Sequence, residues 1–309
     1  MVYRDVDGQP LSAEQIARVK SLVIPPAWLD VWICPVPNGH IQAVGIDAAG
    51  RRQYIYHPQW RLQRDQLKFD RVTSVASRLP AARRAVLEHL AMERMPLERA
   101  AATAVRLLDL GYFRIGSDVY ADENGSFGLT TLEKRHVRLR RGRLVFTFTG
   151  KSGVLHTVEI DDPGVIPAVD LMRRRRGGDR LLAYQAGRTW AEMDAARVND
   201  YLRNVVGAEL TAKDFRTWHA TVIAAAALAA SPEPGHTEAS RKRAVRAAVV
   251  EVAKYLGNTP TVARSAYIDP RVIDLYQDGV TIDAAVRRTY ASPAHRQASL
   301  ERAVIRLLS

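Results

Sequence analysis

The chain has 309 residues, of which 47% are hydrophobic and 25% charged, and it carries a net charge of +12. That length allows two domains of roughly 100 to 200 residues each, and the charge favours a polyanionic partner such as nucleic acid or an anionic membrane surface. No run of 18 apolar residues marks a membrane span, the opening MVYRDVDGQP lacks the features of a signal peptide, and the single cysteine, Cys34, leaves no internal disulfide and no readable zinc site.

In chain order, Ser12 opens a capping box with Gln15, so a short helix is expected up to about Ser21, stopped by Pro25 and Pro26. Three strand-like runs follow, VWICP, HIQAVGID and RRQYIYH, separated by turns at Pro37-Asn38-Gly39 and Ala49-Gly50. Cys34 falls in the first run and reads as a buried, inert thiol. From about Arg71 apolar residues recur every three or four positions, through PAARRAVLEHLAMER and PLERAAATAVRLLDLGYF, so the pattern turns helical. A domain boundary is therefore expected near residue 70. The charge is divided unequally across it: +1 for residues 1–70 and +11 for 71–309. The polyanion should sit mainly on the larger part.

Inside the helical part lies one β island, HVRLRRGRLVFTFTGKSGVLHTVEI, divided into three antiparallel strands by turns at Gly142 and at Gly150 to Gly153. Lys151 falls at a hairpin tip. Helices resume near Val165 and again in TWAEMDAARVNDYLRNVVG, KDFRTWHATVIAAAALAA and RKRAVRAAVVEVAKYLG, with SPEPGHTEAS as a loop. The Ala-rich run at 223–230 reads as a buried helix, and Arg173 to Arg176 as a solvated surface feature or linker, with phosphate contact as the alternative.

Five blocks, in order, carry a resemblance: GRRQYIYHPQW, LLDLGYFRIGSDVYADENGSFGLTTLEKRHV, FTGKSGVLH, KDFRTWHA and LGNTPTVARSAY. Together they span nearly the whole chain and resemble the type IB DNA topoisomerases, more closely their compact poxvirus-like branch, found also in bacteria. The resemblance implies an α+β fold of the tyrosine recombinase/topoisomerase IB kind. A small β-rich N-terminal clamp domain (1–70) would precede a larger, mainly α-helical catalytic domain (71–309) with a three-stranded antiparallel sheet. It implies a monomeric, cytoplasmic, nucleoid-associated enzyme that acts on double-stranded DNA with no ATP, cofactor or metal, no obligate protein partner and no membrane.

By the same resemblance Tyr267 is the nucleophile that forms a 3′-phosphotyrosyl linkage, after which the cut strand rotates and the free 5′-hydroxyl reseals it. Taken alone Tyr267 reads as a packing residue, and a phenol of ordinary pKa about 10 is only about a thousandth ionised at neutral pH, so cations must assist it. Arg114 and Arg216 match the arginines that grip the non-bridging oxygens, where guanidinium forks suit a phosphorane. Lys151 matches the hairpin general acid, a role arginine fills poorly because its proton is held too tightly. Asn258 stands where many members have histidine; its amide can donate the same hydrogen bond to phosphate but adds no charge, and it reads equally as a cap after Gly257. Gln53, Tyr54, Tyr56, Tyr120, Thr131 and Lys213 match positions that contact DNA, with Tyr54 and Tyr56 on one strand face and Gln53 on the other. His136, His156 and His219 read as packing or supporting residues. A tyrosine site-specific recombinase is the alternative with the same chemistry, although Lys213 stands where recombinases carry the histidine of His-x-x-Arg. A non-enzymatic DNA-binding protein is the alternative from another class.

Overall fold

The computed structural model describes all residues except 1–6, 112, 119–120, 122–124, 208–209 and 232–236, together with all side chains of the remainder but that of residue 152. The chain forms two compact units, Met1–Asp70 and Arg71–Ser309.

In the first unit, helix α1 (Ala13–Ser21) starts at the Ser12–Gln15 capping box, in which each side chain accepts from the other residue's backbone N–H. Strands β1 (Leu29–Ile33), β2 (Ile41–Ile46) and β3 (Arg52–Tyr56) form an antiparallel sheet in that order. Cys34 is buried at the end of the β1 edge, and a side chain at Gly39 would meet its Sγ at 2.6 Å, so the turn there needs glycine. Arg18 donates to the Cys34 carbonyl and to Gln42, whose amide in turn holds the Pro37 and Gly39 carbonyls.

Helix α2 (Pro58–Ala76) corrects the expected onset of helix near Arg71. Proline occupies its first position and His57 Nδ1 accepts from the Gln59 N–H, a good helix start. Its apolar pattern is weak because Leu62 and Leu67 are exposed, which hides the helix from periodicity. The boundary between the two units falls inside this helix.

The second unit packs helices around a large apolar core. Helices α3 (Leu79–Leu90) and α4 (Leu97–Gly111) lead to the sheet β4 (Val137–Arg140), β5 (Arg143–Thr149), β6 (Leu155–Ile160), antiparallel in that order with Val137 opposite Phe146 and Phe148 opposite His156. Helix α5 (Val165–Arg174) follows. A hairpin, β7 (Ala183–Ala186) with β8 (Thr189–Glu192), then replaces the first four residues of the helix expected over 189–207. Gly187 makes the left-handed turn at φ 64°, and Asp194 caps helix α6 (Ala195–Val206) through the Arg197 N–H, so the helix begins only after the hairpin. Helices α7 (Ala212–Ala229), α8 (Glu238–Leu256), α9 (Pro260–Ala266), α10 (Pro270–Gln277), α11 (Asp283–Val286) and α12 (Pro293–Leu308) complete the unit.

The Arg173–Arg176 run is not uniformly solvated. Arg173 and Arg174 pair with Asp170, but Arg175 is buried and donates to the Met172 and Leu181 carbonyls at 3.0 Å, closing the chain after α5. Buried charge also joins the helices. Asp109 of α4 accepts a bidentate pair from Arg83 of α3 at 2.8 Å, a bond from Arg106 at 3.3 Å and one from His219 Nε2 of α7 at 3.2 Å. Arg83 reaches on to Glu301 of α12, and Arg106 to Asp162 ahead of α5. Burial alone would raise the Asp109 carboxyl, but Arg83 and His219 outweigh it and hold the group far below the usual carboxylate range. Removing one partner from such a network leaves buried charge uncompensated. Asp109→Asn is expected to lower the unfolding free energy by about 3 kcal/mol or more, read from the urea midpoint at unchanged m-value.

Candidate active site

Helix α8 ends at Gly257, whose φ of 58° and ψ of 47° form a left-handed cap, with the Asn258 N–H returning to the Ala253 carbonyl. The last carbonyls of a helix have no partner within it and carry partial negative charge. Two guanidiniums take them: Arg216 Nη2 donates to Leu256 O at 2.7 Å, and Arg114 Nη2 to Gly257 O at 3.2 Å. Arg114 Nη2 also donates to Asn258 Oδ1, while Asn258 Nδ2 is buried with no hydrogen-bond acceptor among the described residues.

Each arginine is positioned by its own element. Arg114 lies on an extended segment clamped by the loop that follows: its carbonyl accepts from the Leu129 N–H at 2.7 Å, and the Ile115 carbonyl accepts from the Thr130 N–H at 2.7 Å. The two strands of chain cross at Gly116 and Gly128, so close that a side chain at Gly128 would meet Gly116 Cα at 2.5 Å and the Arg114 carbonyl at 2.9 Å. Thr131 fastens this crossing. It is 1% exposed, and its hydroxyl accepts from the Gly128 N–H and donates to the Gly128 carbonyl, which uses on the loop the group expected to meet phosphate. Arg216 sits on α7, whose first turn is held by Asp214: the carboxylate accepts from Thr211 at 2.8 Å and from both Arg71 Nη atoms at 2.8 and 2.9 Å.

Tyr267 closes helix α9, with its N–H on the Ala263 carbonyl. The Thr221 hydroxyl of α7 lies 3.4 Å from the Tyr267 carbonyl and accepts from the Asp269 N–H at 3.1 Å, so the tyrosine turn is tied to the helix that carries Arg216. The Arg216 guanidinium lies 5.4 Å from the Tyr267 ring centre and hydrogen-bonds its phenol. Burial raises the phenol, but Arg216, Arg114 and Lys213 outweigh it and bring it below the ordinary tyrosine value. Burial lowers Arg216 to about 10, with the charge of Arg114 acting the same way, and lowers Arg114 as well. Both remain cations at neutral pH.

Arg114, Arg216, Asn258 and Tyr267 thus meet at the end of α8, beside a cleft also lined by Phe113, Phe148, His156 and Leu256. Lys151 begins the short 3-10 turn Lys151–Gly153 between β5 and β6 and is exposed; the turn is closed by the Gly150 N–H on the Val154 carbonyl at 2.8 Å. Lys213 is exposed on the first turn of α7. In the first unit, Tyr54 is 42% exposed and stacks on Tyr56 at 5.9 Å, while Gln53 gives its amide to Asp47 at 2.9 Å. Trp60, the last residue of the GRRQYIYHPQW block, and Arg64, which lies beyond it in the unrecognised helix α2, extend that stack. Tyr120 lies outside the described residues.

Residues 57–293 match the model of the eukaryotic DNA topoisomerase I catalytic core, and residues 1–47 that of the bacterial DNA topoisomerase IB N-terminal domain. The chain belongs to the type IB DNA topoisomerase family. DNA topoisomerase 1B of Acanthamoeba polyphaga mimivirus is 29% identical over 280 residues, covering 88% of this chain and 83% of the viral one. DNA topoisomerase 1B of vaccinia virus is 21% identical over 252 residues, 80% of this chain and 76% of its own. DNA topoisomerase 1 of Schizosaccharomyces pombe is 27% identical over 231 residues, 73% of this chain but 26% of the yeast protein. The small β-rich unit followed by a helical unit with a three-stranded sheet is the α+β arrangement of type IB topoisomerases.

The charges around Tyr267 make its ionisation a direct readout of the site. Lys213→Gln removes one of the cations that lower the phenol, so the pKa of Tyr267 is expected to rise and its phenolate fraction at neutral pH to fall. Titration of tyrosine labelled with 13C at Cζ, with the signal identified by its loss in Tyr267→Phe, measures this shift without any DNA.

Proposed function

We propose that this chain relaxes supercoiled duplex DNA, with Tyr267 as nucleophile, Arg114 and Arg216 as the clamp on the scissile phosphate, Asn258 as a neutral donor and Lys151 as the proton donor. The observation that carries the reading is the convergence of a buried guanidinium, Arg216, and a half-buried one, Arg114, on one tyrosine whose phenol is lowered despite its burial. Such a site is built for an anion and poises an oxygen nucleophile beside it.

The Tyr267 oxygen attacks phosphorus, the bond to the 5′-oxygen breaks, and Lys151 protonates the departing oxygen as the phenol's own proton passes to solvent. The 3′-phosphotyrosyl bond that results retains the energy of the phosphodiester, so religation needs no ATP. In the reverse direction the 5′-hydroxyl returns its proton to Lys151 and displaces the phenolate. Charge gathers on the non-bridging oxygens, which Arg114 and Arg216, held in place by the α8 carbonyls, would meet; each such donor contributes about 3 to 4 kcal/mol to the barrier lowering. The turn bearing Lys151 is exposed, so its side chain is open to a duplex. Tyr54, Tyr56 and Lys213 present exposed or half-exposed groups suited to backbone contact, whereas Gln53 has one amide N–H engaged by Asp47. The enzyme would work as a monomer on nucleoid DNA in a bacterial cytoplasm.

Denaturing the protein on supercoiled circles and on end-labelled suicide duplexes, with EDTA present, tests this reading. Wild type should relax the circles and become bound to the 3′ end, and Tyr267→Phe should do neither. Attachment to the 5′ end would sink the mechanism, and joined or resolved circles would favour a recombinase. Asn258 carries a finer expectation. Asn258→His keeps one acceptor for Arg114 and one donor for phosphate in its neutral form, so its relaxation rate should stay within about tenfold of wild type. Asn258→Asp offers acceptors alone and should be slowed at least about a hundredfold.

A further inference from the structure

We propose that His156 is a positioning residue: its ring is the strut that sets the Lys151 turn against the Arg114–Asn258 end of the site. The inference rests on the catalytic reading above and extends it to a residue outside the proposed reacting set.

The geometry is specific. His156 lies in β6, opposite Phe148 of β5, and the two rings stack with centres 5.3 Å apart and planes 20° apart. A side chain at Gly150 would place its Cβ 2.5 Å from His156 Cδ2 and 2.7 Å from Nε2. A side chain at Gly257 would come within 2.3 Å of Cε1 and 3.2 Å of Nδ1. One imidazole therefore fills the Cβ space of both glycines. Gly150 is the residue before Lys151, and Gly257 is the residue before Asn258 whose carbonyl holds Arg114.

The two glycines are not equivalent. Gly257 needs glycine for its left-handed backbone whatever lies beside it. Gly150 has φ −95° and ψ −167°, extended backbone that any residue adopts, so only the ring excludes a side chain there. The approach of ring to backbone is thus what requires glycine at position 150, and it joins two segments about a hundred residues apart in the chain. Burial first, then Arg114 and Arg216, lower the His156 pKa, so the neutral form of the strut is favoured in the cleft it lines with the two guanidiniums.

The test separates action through the lysine turn from general damage. Single-turnover cleavage is measured on an ordinary duplex and on one with sulfur in place of the bridging 5′-oxygen, whose thiolate leaves without a proton because thiols ionise near pH 8 to 9. His156→Ala should cleave the ordinary duplex about 30-fold more slowly at unchanged DNA affinity and lose no more than about threefold on the sulfur duplex, the pattern expected of Lys151→Ala. Gly150→Ala, which pushes the same contact from the other side, should show the same split, and the double variant should be less impaired than the two single losses multiplied. If His156→Ala proves unfolded by circular dichroism, Gly150→Ala and His156→Gln carry the comparison alone. Ordinary cleavage at the wild-type rate, or an equal loss on both duplexes, would overturn the inference. A wild-type protein that forms no covalent adduct on either duplex would instead overturn the catalytic reading on which it rests.

Discussion

Two like charges held together in a partly buried cleft are the constraint from which the rest of this site follows. A guanidinium removed from water is costly, and a second one beside it costs more. Here the end of α8 supplies the compensation: Leu256 O and Gly257 O are carbonyls that the helix leaves unpaired, and each accepts from one arginine. The compensation is partial: burial first, then the charge of Arg114, still lowers Arg216 to about 10. That residual positive potential draws down the phenol of Tyr267, and in the proposed reaction a phosphate would neutralise it.

Holding such a cluster requires a frame that does not relax away from it. The carbonyls of Arg114 and Ile115 are bonded into the 128–131 loop at a crossing of two glycines, and the hydroxyl of Thr131, expected in a role toward DNA, is consumed in closing it. Arg216 is held from both ends of its helical turn. Asp214 and Arg71 fix the helix start, and three residues beyond Arg216 His219 meets Asp109, which Arg83 and Arg106 connect to α3, α12 and the segment ahead of α5. A buried network of this kind is weak as a source of net stability, but its directional bonds specify one arrangement of helices. That is what the proposed grip of two arginines on one phosphate would require.

The legible part of the molecule was the part written in local pattern. Capping at Ser12, the Gly142 turn, the three strands of the β island and the Ala-rich core helix all follow from residue chemistry within a few positions, and the motif blocks named Arg114, Arg216, Asn258 and Tyr267, which meet at one helix end. Helix α2 was hidden because its leucines face outward, and the β7–β8 hairpin because Thr189–Glu192 runs without a break into the periodicity of α6. The burial of Arg175 and the loop bonds of Thr131 escape the sequence for a different reason. Whether a polar side chain faces solvent or closes a loop depends on carbonyls and amides brought to it by tertiary folding, and no spacing in the chain records that.

Asn258 shows how a neutral residue suits this constraint. A charged imidazolium in its place has no lone pair to offer Arg114, so the guanidinium would lose one of its two carbonyl-type acceptors while gaining a repulsive neighbour. The carboxamide avoids both problems, since one end accepts from Arg114 and the other remains a buried donor. A buried donor lacking an acceptor costs about 1 to 3 kcal/mol, a penalty released when an oxygen arrives. In the proposed reaction Asn258 would thereby add to the affinity for anionic oxygen without adding charge. With the neutral form of His156 also favoured in the same cleft, like-charge repulsion there is limited to the two guanidiniums, the groups shaped to grip a phosphate in the proposed reaction.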